Sequence, residues 1–244
     1  MNSLNGDSRE VKKAIVLAAG RGKRLRPYTD HTPKPLLLWH GRPLLHTTLT
    51  ALANMGVSDV CLIIHYLAEQ IEAFVGDGNA WGLSACFVRQ GVLNGTATAV
   101  QLAADFIDAP TVIVAADYIL PPDHLQALHA VYLEAGTPLA VSLKALPEAE
   151  LSQRSSVRFA ADGTIAEVVE KPATGQAPSQ VGASLIYIVP PQICSYLSEL
   201  TASPRGEYEL PTVINRMVQD GYKLFGLRQP APAEWHPGRG EAGG

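Results

Sequence analysis

The chain has 244 residues, 47% of them hydrophobic, and a formal net charge of −4. That composition is enough for a substantial core and too apolar for a disordered chain. The acidic balance argues against a general nucleic-acid binder, which presents a broad basic surface. Cys61, Cys86 and Cys194 are widely spaced and show neither C-x-x-C nor Cys/His zinc spacing. They read as small buried hydrophobes of a reducing compartment. The polar start "MNSLNGDSREVKK" lacks the apolar segment of a signal peptide, and no apolar run approaches the roughly 18 residues that span a bilayer. A cytoplasmic protein without membrane contact is expected.

In chain order, strand-like and helix-like segments alternate. "KAIVLAA" (13–19) is apolar throughout, as in a buried parallel strand. A helix is predicted over 43–56, a strand over 59–65, a helix over 67–75 and a strand over 83–90. A helix over 96–107, a strand over 111–117, a helix over 122–136 and a strand over 138–146 follow. This is the rhythm of βαβ units. After about residue 150 the pattern changes. "SSVRFAADGTIAEVVEKP" reads as two strands around Asp162-Gly163, a hairpin signal. A strand over 183–189, a helix over 209–221 and a last strand in "YKLFGL" complete the pattern. The fold class expected is α/β: a Rossmann-like, mixed, mainly parallel sheet flanked by helices, with antiparallel additions in the C-terminal half. Residues 1–11 read as a polar tail, 12–228 as one domain, and 229–244 as a Pro/Gly-rich tail.

The stretch "LAAGRGKRLRPYTDHTPKPLL" (17–37) follows the first strand. A Gly-rich loop at the C-terminal end of such a strand is where open α/β sheets bind ligands. Gly20 and Gly22 permit close backbone approach, and their N–H groups suit an anion. Arg24, Arg26 and Lys34 share this Pro-rich loop, and a like-charged cluster on a stiff loop is naturally compensated by an anionic ligand. It is neither the dinucleotide fingerprint, whose third glycine would fall at Leu25, nor a P-loop.

The loop closely resembles the signature of the sugar-phosphate nucleotidylyltransferases, G-x-G-[TS]-R-[LM]-x-P-[LY]-T followed by P-K-[PA]-L, with Lys23 as the one departure. The resemblance extends over roughly 12–228. It implies condensation of a nucleoside triphosphate with a sugar 1-phosphate, or another phosphomonoester, to give a nucleotide sugar and pyrophosphate. It assigns Arg24 and Lys34 to the phosphates, where fixed cations stabilise charge built up in the transition state. It assigns Leu17, Ala19, Gly20 and Gly22 to the nucleotide as well. "RQGVLNGTATAV" (89–100) is similar to the base-binding segment. Gln90 and Gly95 there imply UTP or dTTP, since a carboxamide offers the donor and acceptor that an imide edge needs, and Thr96 adjoins them. Asp117, ending "VIVAAD", matches a Mg²⁺ ligand. Glu170 and Lys171 in "VVEKP" match the acceptor-binding pair, although adjacent strand residues point to opposite faces unless Pro172 ends the strand. "GEYELPTVINRM" (206–217) resembles the segment opening the family's late helix.

Three departures stand out. The sugar-touching Asn-x-Gly positions hold Ala183 and Leu185; the usual Tyr-Gly-Val reads Ser155-Ser156-Val157; and Pro237 occupies the place of the second metal-binding Asp, which leaves Glu234, His236 or a phosphate oxygen to complete the metal site. They leave open a non-catalytic nucleotide-sugar-binding regulator and a cytidylyltransferase for a non-sugar phosphate. No general base is required, because a phosphomonoester has its second pKa at about 6. The histidines, including His65 and His124, carry no expected role. The family also commonly forms homo-oligomers.

Overall fold

The computed structural model describes residues 10–121, 123–136 and 139–230. Its elements are β1 (Lys13–Leu17), the two-residue strands β2 (Leu38–Trp39) and β3 (Arg42–Pro43), α1 (Leu44–Met55), β4 (Asp59–Ile64), α2 (Ala68–Val75), β5 (Ser84–Arg89), α3 (Thr96–Gln101) and β6 (Thr111–Ala115). Next come α4 (His124–Glu134), β7 (Leu139–Ala145), β8 (Ser155–Phe159), β9 (Ile165–Glu170), β10 (Val181–Val189), α5 (Ile193–Ser198), α6 (Leu210–Gln219) and β11 (Leu224–Arg228). All but β2 and β3 join one sheet, in the order β5-β4-β1-β6-β10-β7-β11-β9-β8.

The first half of the sheet is parallel: β1 lies between β4 and β6, and β4 continues to β5. Strand β10 inserts antiparallel between β6 and β7, and β11 returns parallel to β7. The hairpin of β8 and β9 joins β11 through one antiparallel pair, Leu224 with Ile165. The expected mixed sheet is therefore present, and its antiparallel strands come from the C-terminal half.

Strand alternation divides the apolar side chains between two faces. Ile15, Cys61, Ile63 and Ile113 pack with Ala97 and Val100 of α3, Ile193 and Leu197 of α5, and Val213, Ile214 and Met217 of α6. Ala14, Val16, Leu62 and Val114 pack with Leu45, Leu49 and Leu52 of α1, Ile71 of α2 and Leu128 of α4. Burying both faces is what makes the central strands read as continuous apolar runs.

Three expectations need correction. The helix predicted over 96–107 closes at Gln101, where the bonding tightens: Ala103 N–H donates to Val100 O at 3.0 Å and Ile107 N–H to Ala104 O at 2.9 Å. Its β-branched Thr96, Thr98 and Val100 favour a helix weakly. Cys86 is exposed, not buried, because β5 is an edge strand. Helix α5 was not anticipated: "ICSYLS" is too short to show a helical period. Among the described residues no helix is long and apolar enough to cross a membrane. The tails 1–9 and 231–244, with Glu234, His236 and Pro237, lie outside the described residues.

Strand β9 is completed by a side chain. Asn215 of α6 accepts the Val168 N–H at 2.8 Å and donates to the Val168 carbonyl at 2.9 Å, so beyond the single pair with β11 one carboxamide takes the place of a neighbour strand. Asn215→Ala leaves both backbone groups unpaired and is expected to cost about 1–3 kcal/mol, read as a lower urea midpoint. The hairpin turn has its own anchor. Asp162 accepts from the Thr164 hydroxyl at 2.6 Å, the Thr164 N–H at 3.1 Å and Lys223 Nζ at 2.9 Å. These bonds, Thr164 first, hold its carboxyl well below the usual carboxylate range. A depressed folded-state pKa gives stability that is complete above the unfolded value, about 3.9, and is lost as pH falls below it. Acid titration of unfolding should therefore be shallower in Asp162→Asn than in the parent below about pH 4.

Candidate functional site

The C-terminal ends of β1, β5 and β6 open on one cleft of about 560 Å³. That is the ordinary position and size for a ligand site in this class of sheet. Residues 18–37 form one wall. Thr29, buried at 1% exposure, donates its hydroxyl to Gly22 O at 3.0 Å. Gly22 has φ +61, and a Cβ there would lie 2.9 Å from Thr29 Cγ2 and 3.3 Å from Lys34 Cβ, so the loop closes on itself only with glycine. Tyr66 ties down the far side of the loop, donating to Thr29 O at 3.0 Å or Asp30 O at 2.9 Å. Short 3₁₀ turns over Lys23–Leu25 and Lys34–Leu36 then set Arg24 and Lys34 on the cleft.

The basic residues of the loop separate. Lys34 Nζ pairs with Asp117 Oδ2, which stands just past the end of β6. Arg26 is taken by Asp30 at 3.2 Å. Arg21 lies over the Tyr66 ring at 5.9 Å and, with Lys23, faces a second hollow beside His65 and Val92. Arg24 lines the cleft and forms no ion pair among the described residues.

The opposite wall joins two distant segments. Gln90 is 4% exposed; its backbone N–H donates to Ile64 O at 2.8 Å and its Nε2 to Gly95 O at 3.4 Å. Gly95 adopts φ 147 and ψ 168, a region open to glycine almost alone. A Cβ there would lie 2.0 Å from the Tyr208 carbonyl oxygen. Around that contact Tyr208 N–H donates to Asn94 O at 2.9 Å, Ala97 N–H to Tyr208 O at 2.9 Å, and Leu210 N–H to the Thr96 hydroxyl at 2.9 Å. Thr96 thus borders the cleft while its oxygen starts helix α6.

The C-terminal half supplies the remaining end. Ser155 donates its hydroxyl to Glu170 Oε2 at 2.5 Å. The strand stops at Glu170, and Lys171 turns into the left-handed region with φ +46, its N–H donating to Arg154 O at 3.1 Å. That reversal overrides strand alternation, and both side chains line the cleft, 3.9 Å apart. Ala183, Leu185 and Tyr187 of β10 form an apolar wall between them and β6. The Tyr118 hydroxyl accepts the Leu185 N–H at 3.0 Å. Burial pushes this phenol up to about 12, with the Asp117 and Glu170 carboxylates adding to the rise, so it stays neutral.

Leu17, Ala19, Gly20, Gly22, Arg24, Lys34, Gln90, Gly95, Thr96, Asp117, Glu170 and Lys171 all border this one cleft, whereas Arg26, grouped with Arg24 and Lys34 in the sequence, does not. Sequence reasoning missed Tyr118, Lys144, Arg154 and Glu209, which border it too. Lys144 alone left a trace, as a charge inside the apolar strand "LAVSLKA". Glu209 is 7% exposed and paired with Arg205 at 3.0 Å; burial raises its pKa. No group of three or more His, Cys, Asp or Glu able to hold a metal occurs among the described residues.

Comparison with known proteins accords with this geometry. The Nucleotidyl transferase family matches residues 13–233. A low-salt glycan biosynthesis nucleotidyltransferase of Haloferax volcanii is 29% identical over 87% of this chain and 58% of its own length. A UTP–glucose-1-phosphate uridylyltransferase of Synechocystis is 28% identical over 88% of this chain and 57% of its own. The chain thus spans less than two thirds of either relative. A crystal structure of UDP-glucose pyrophosphorylase complexed with UDP-glucose shares the fold, with a TM-score of 0.77, 20% identity, and coverage of 89% of this chain and 91% of that one.

The Gly95 contact can be tested alone. Gly95→Ala forces a side chain into the Tyr208 backbone in a disallowed conformation. It should destabilise by at least about 1–3 kcal/mol, seen as a lower urea midpoint with an unchanged slope.

Proposed function

The chain belongs to the nucleotidyl transferase family, and on that premise we propose that it joins a nucleoside triphosphate, UTP or dTTP by preference, to a sugar 1-phosphate with release of pyrophosphate. The observation that carries this reading is the convergence of two loop cations, a carboxylate, a buried carboxamide and a Glu–Lys pair on one cleft. The relatives' names, among them the uridylyltransferase of Synechocystis, support it.

In this reading an oxygen of the acceptor phosphate attacks the α-phosphorus, a new P–O bond forms, and the bond to the bridging oxygen breaks as pyrophosphate departs. The attacking group is largely a dianion at neutral pH, so no base is required. Arg24, unpaired within the described protein, is free to take the charge of the triphosphate. Lys34, on the same cleft, would meet the α-phosphate. Both act within a cleft partly walled by Leu17, Ala115 and Leu185, where fixed charges are worth more than in water. Gln90 spends one amide hydrogen on Gly95 O and keeps its oxygen and second hydrogen for the imide edge of uracil or thymine. Glu170 and Lys171 hold the sugar hydroxyls and the acceptor phosphate.

Asp117 suits Mg²⁺. A carboxylate just past the end of β6 that lines the cleft fits an ion that takes its other oxygens from phosphates and water. When bound, the ion neutralises phosphate charge; Asp117 would hold it, with Lys34 alongside.

The test is pyrophosphate release with Mg²⁺, scanning ATP, GTP, CTP, UTP and dTTP against a panel of sugar 1-phosphates. Release should require UTP or dTTP together with an acceptor, and Arg24→Ala should lower kcat by about 10²–10³-fold, the usual effect of removing one preorganised charge donor. Nucleotide binding without release from any pair would instead support a non-catalytic regulator.

A further inference from the structure

The acidic side chains bordering the cleft are already matched. Asp117 holds Lys34; Glu170 takes the Ser155 hydroxyl and lies near Lys171; Glu207 and Glu209 share Arg205 at 3.6 and 3.0 Å. Positive charge is left over at two places. One is Arg24. The other is the end bounded by Glu170 and Lys171, where Lys144 and Arg154 line the wall.

Lys144 sits near the end of β7, opposite Gly182 of β10, and is half-buried. It forms no ion pair or hydrogen bond among the described residues. Burial first, then the Arg154 guanidinium, lowers its pKa, and the Glu150 carboxylate offsets part of that fall. Arg154 reaches Glu150 only at 3.6 Å, with both side chains about half exposed, and such a pair compensates little. The Arg154 carbonyl accepts the Lys171 N–H, so this guanidinium and the Lys171 ammonium hang from one stretch of wall. A half-buried ammonium beside a guanidinium is unfavourable unless an anion joins them. Ala183, Leu185 and Tyr187 of the adjoining β10 line the cleft there and offer no carboxamide, while Gln153 and Ser155 border it on either side of Arg154. That end of the cleft brings three cations, Lys144, Arg154 and Lys171, against one carboxylate, Glu170.

We propose that Lys144 and Arg154 form a second anion subsite, which selects an acceptor carrying a further negative group, a carboxylate or a second phosphate, in addition to its 1-phosphate. The proposal rests on the transfer reaction proposed above, in which Lys171 serves the 1-phosphate.

Calorimetry on the full chain tests it without turnover. Two ligand pairs are compared: UDP-glucuronate with UDP-glucose, and glucose 1,6-bisphosphate with glucose 1-phosphate. The first pair reads a carboxylate and the second a phosphate. The more anionic member of at least one pair should bind about tenfold more tightly, the scale of one hydrogen-bonded charge pair. Lys144→Gln and Arg154→Gln should bring that ratio close to one. A ratio near one for both pairs in the parent, no binding of any of the four, or a ratio that both variants preserve would overturn the subsite. Pyrophosphate release is read separately on the same protein. A charge preference without release from any nucleotide overturns the transfer reaction and leaves the subsite standing; release without a charge preference does the reverse.

Discussion

The ion pair of Lys34 with Asp117 holds the site together. Strands β1 and β6 are parallel neighbours, so the chain leaves the sheet at the same edge after Leu17 and after Ala115. Apolar strands alone would let these exits diverge. The pair closes them, fastening the Pro-rich loop over the end of β6. Each charge is part-buried, with side-chain exposures of 31% and 27%, so either one without the other would be poorly solvated. Because Asp117 is neutralised by Lys34, the positive charge of Arg24 stays available to a ligand.

The remaining walls are fastened by backbone contacts, which carry no charge. Gly95 lies against Tyr208, and the hydrogen bonds around it couple the base-side loop to the start of α6. Lys171 bonds through its N–H to Arg154, coupling the end of β9 to the start of β8. Loops held by backbone pairing keep their side chains in place at little entropic cost on binding. The cleft can therefore be lined with mobile, charged side chains and still present them in one arrangement.

Charge is distributed unevenly on purpose of this geometry. The chain as a whole has a net charge of −4, yet the cleft gathers Arg24, Lys34, Lys144, Arg154 and Lys171. Four carboxylates, Asp117, Glu170, Glu207 and Glu209, border the same cleft, so its charges are mostly matched and the surplus is local. On the outer side of the loop, Arg21 and Lys23 face a separate hollow, so the basic run in the sequence is two populations in space.

Much of this was legible in the residues themselves. The apolar run of β1 followed by Gly20 and Gly22 placed a ligand loop, because strand periodicity and glycine tolerance are local properties. The residues that the resemblance assigns to substrates and metal border one cleft, and the family membership holds. Local rules failed where a contact from elsewhere in the chain decides. Strand alternation sends Glu170 and Lys171 to opposite faces, but the left-handed turn at Lys171, bonded to Arg154, returns both to the cleft. Cys86 reads as apolar strand, yet its exposure depends on β5 being the last strand of the sheet, which is a matter of strand order. Lys144 and Arg154 lie in segments with no motif, and only the pairing of β7 with β10 and the β8–β9 hairpin brings their charges together. The sequence by itself determined the strands, the loop and the chemistry of the side chains, since these follow from neighbours along the chain. Tertiary structure decided which charges are matched and which are left over, since that depends on distances between residues far apart in sequence.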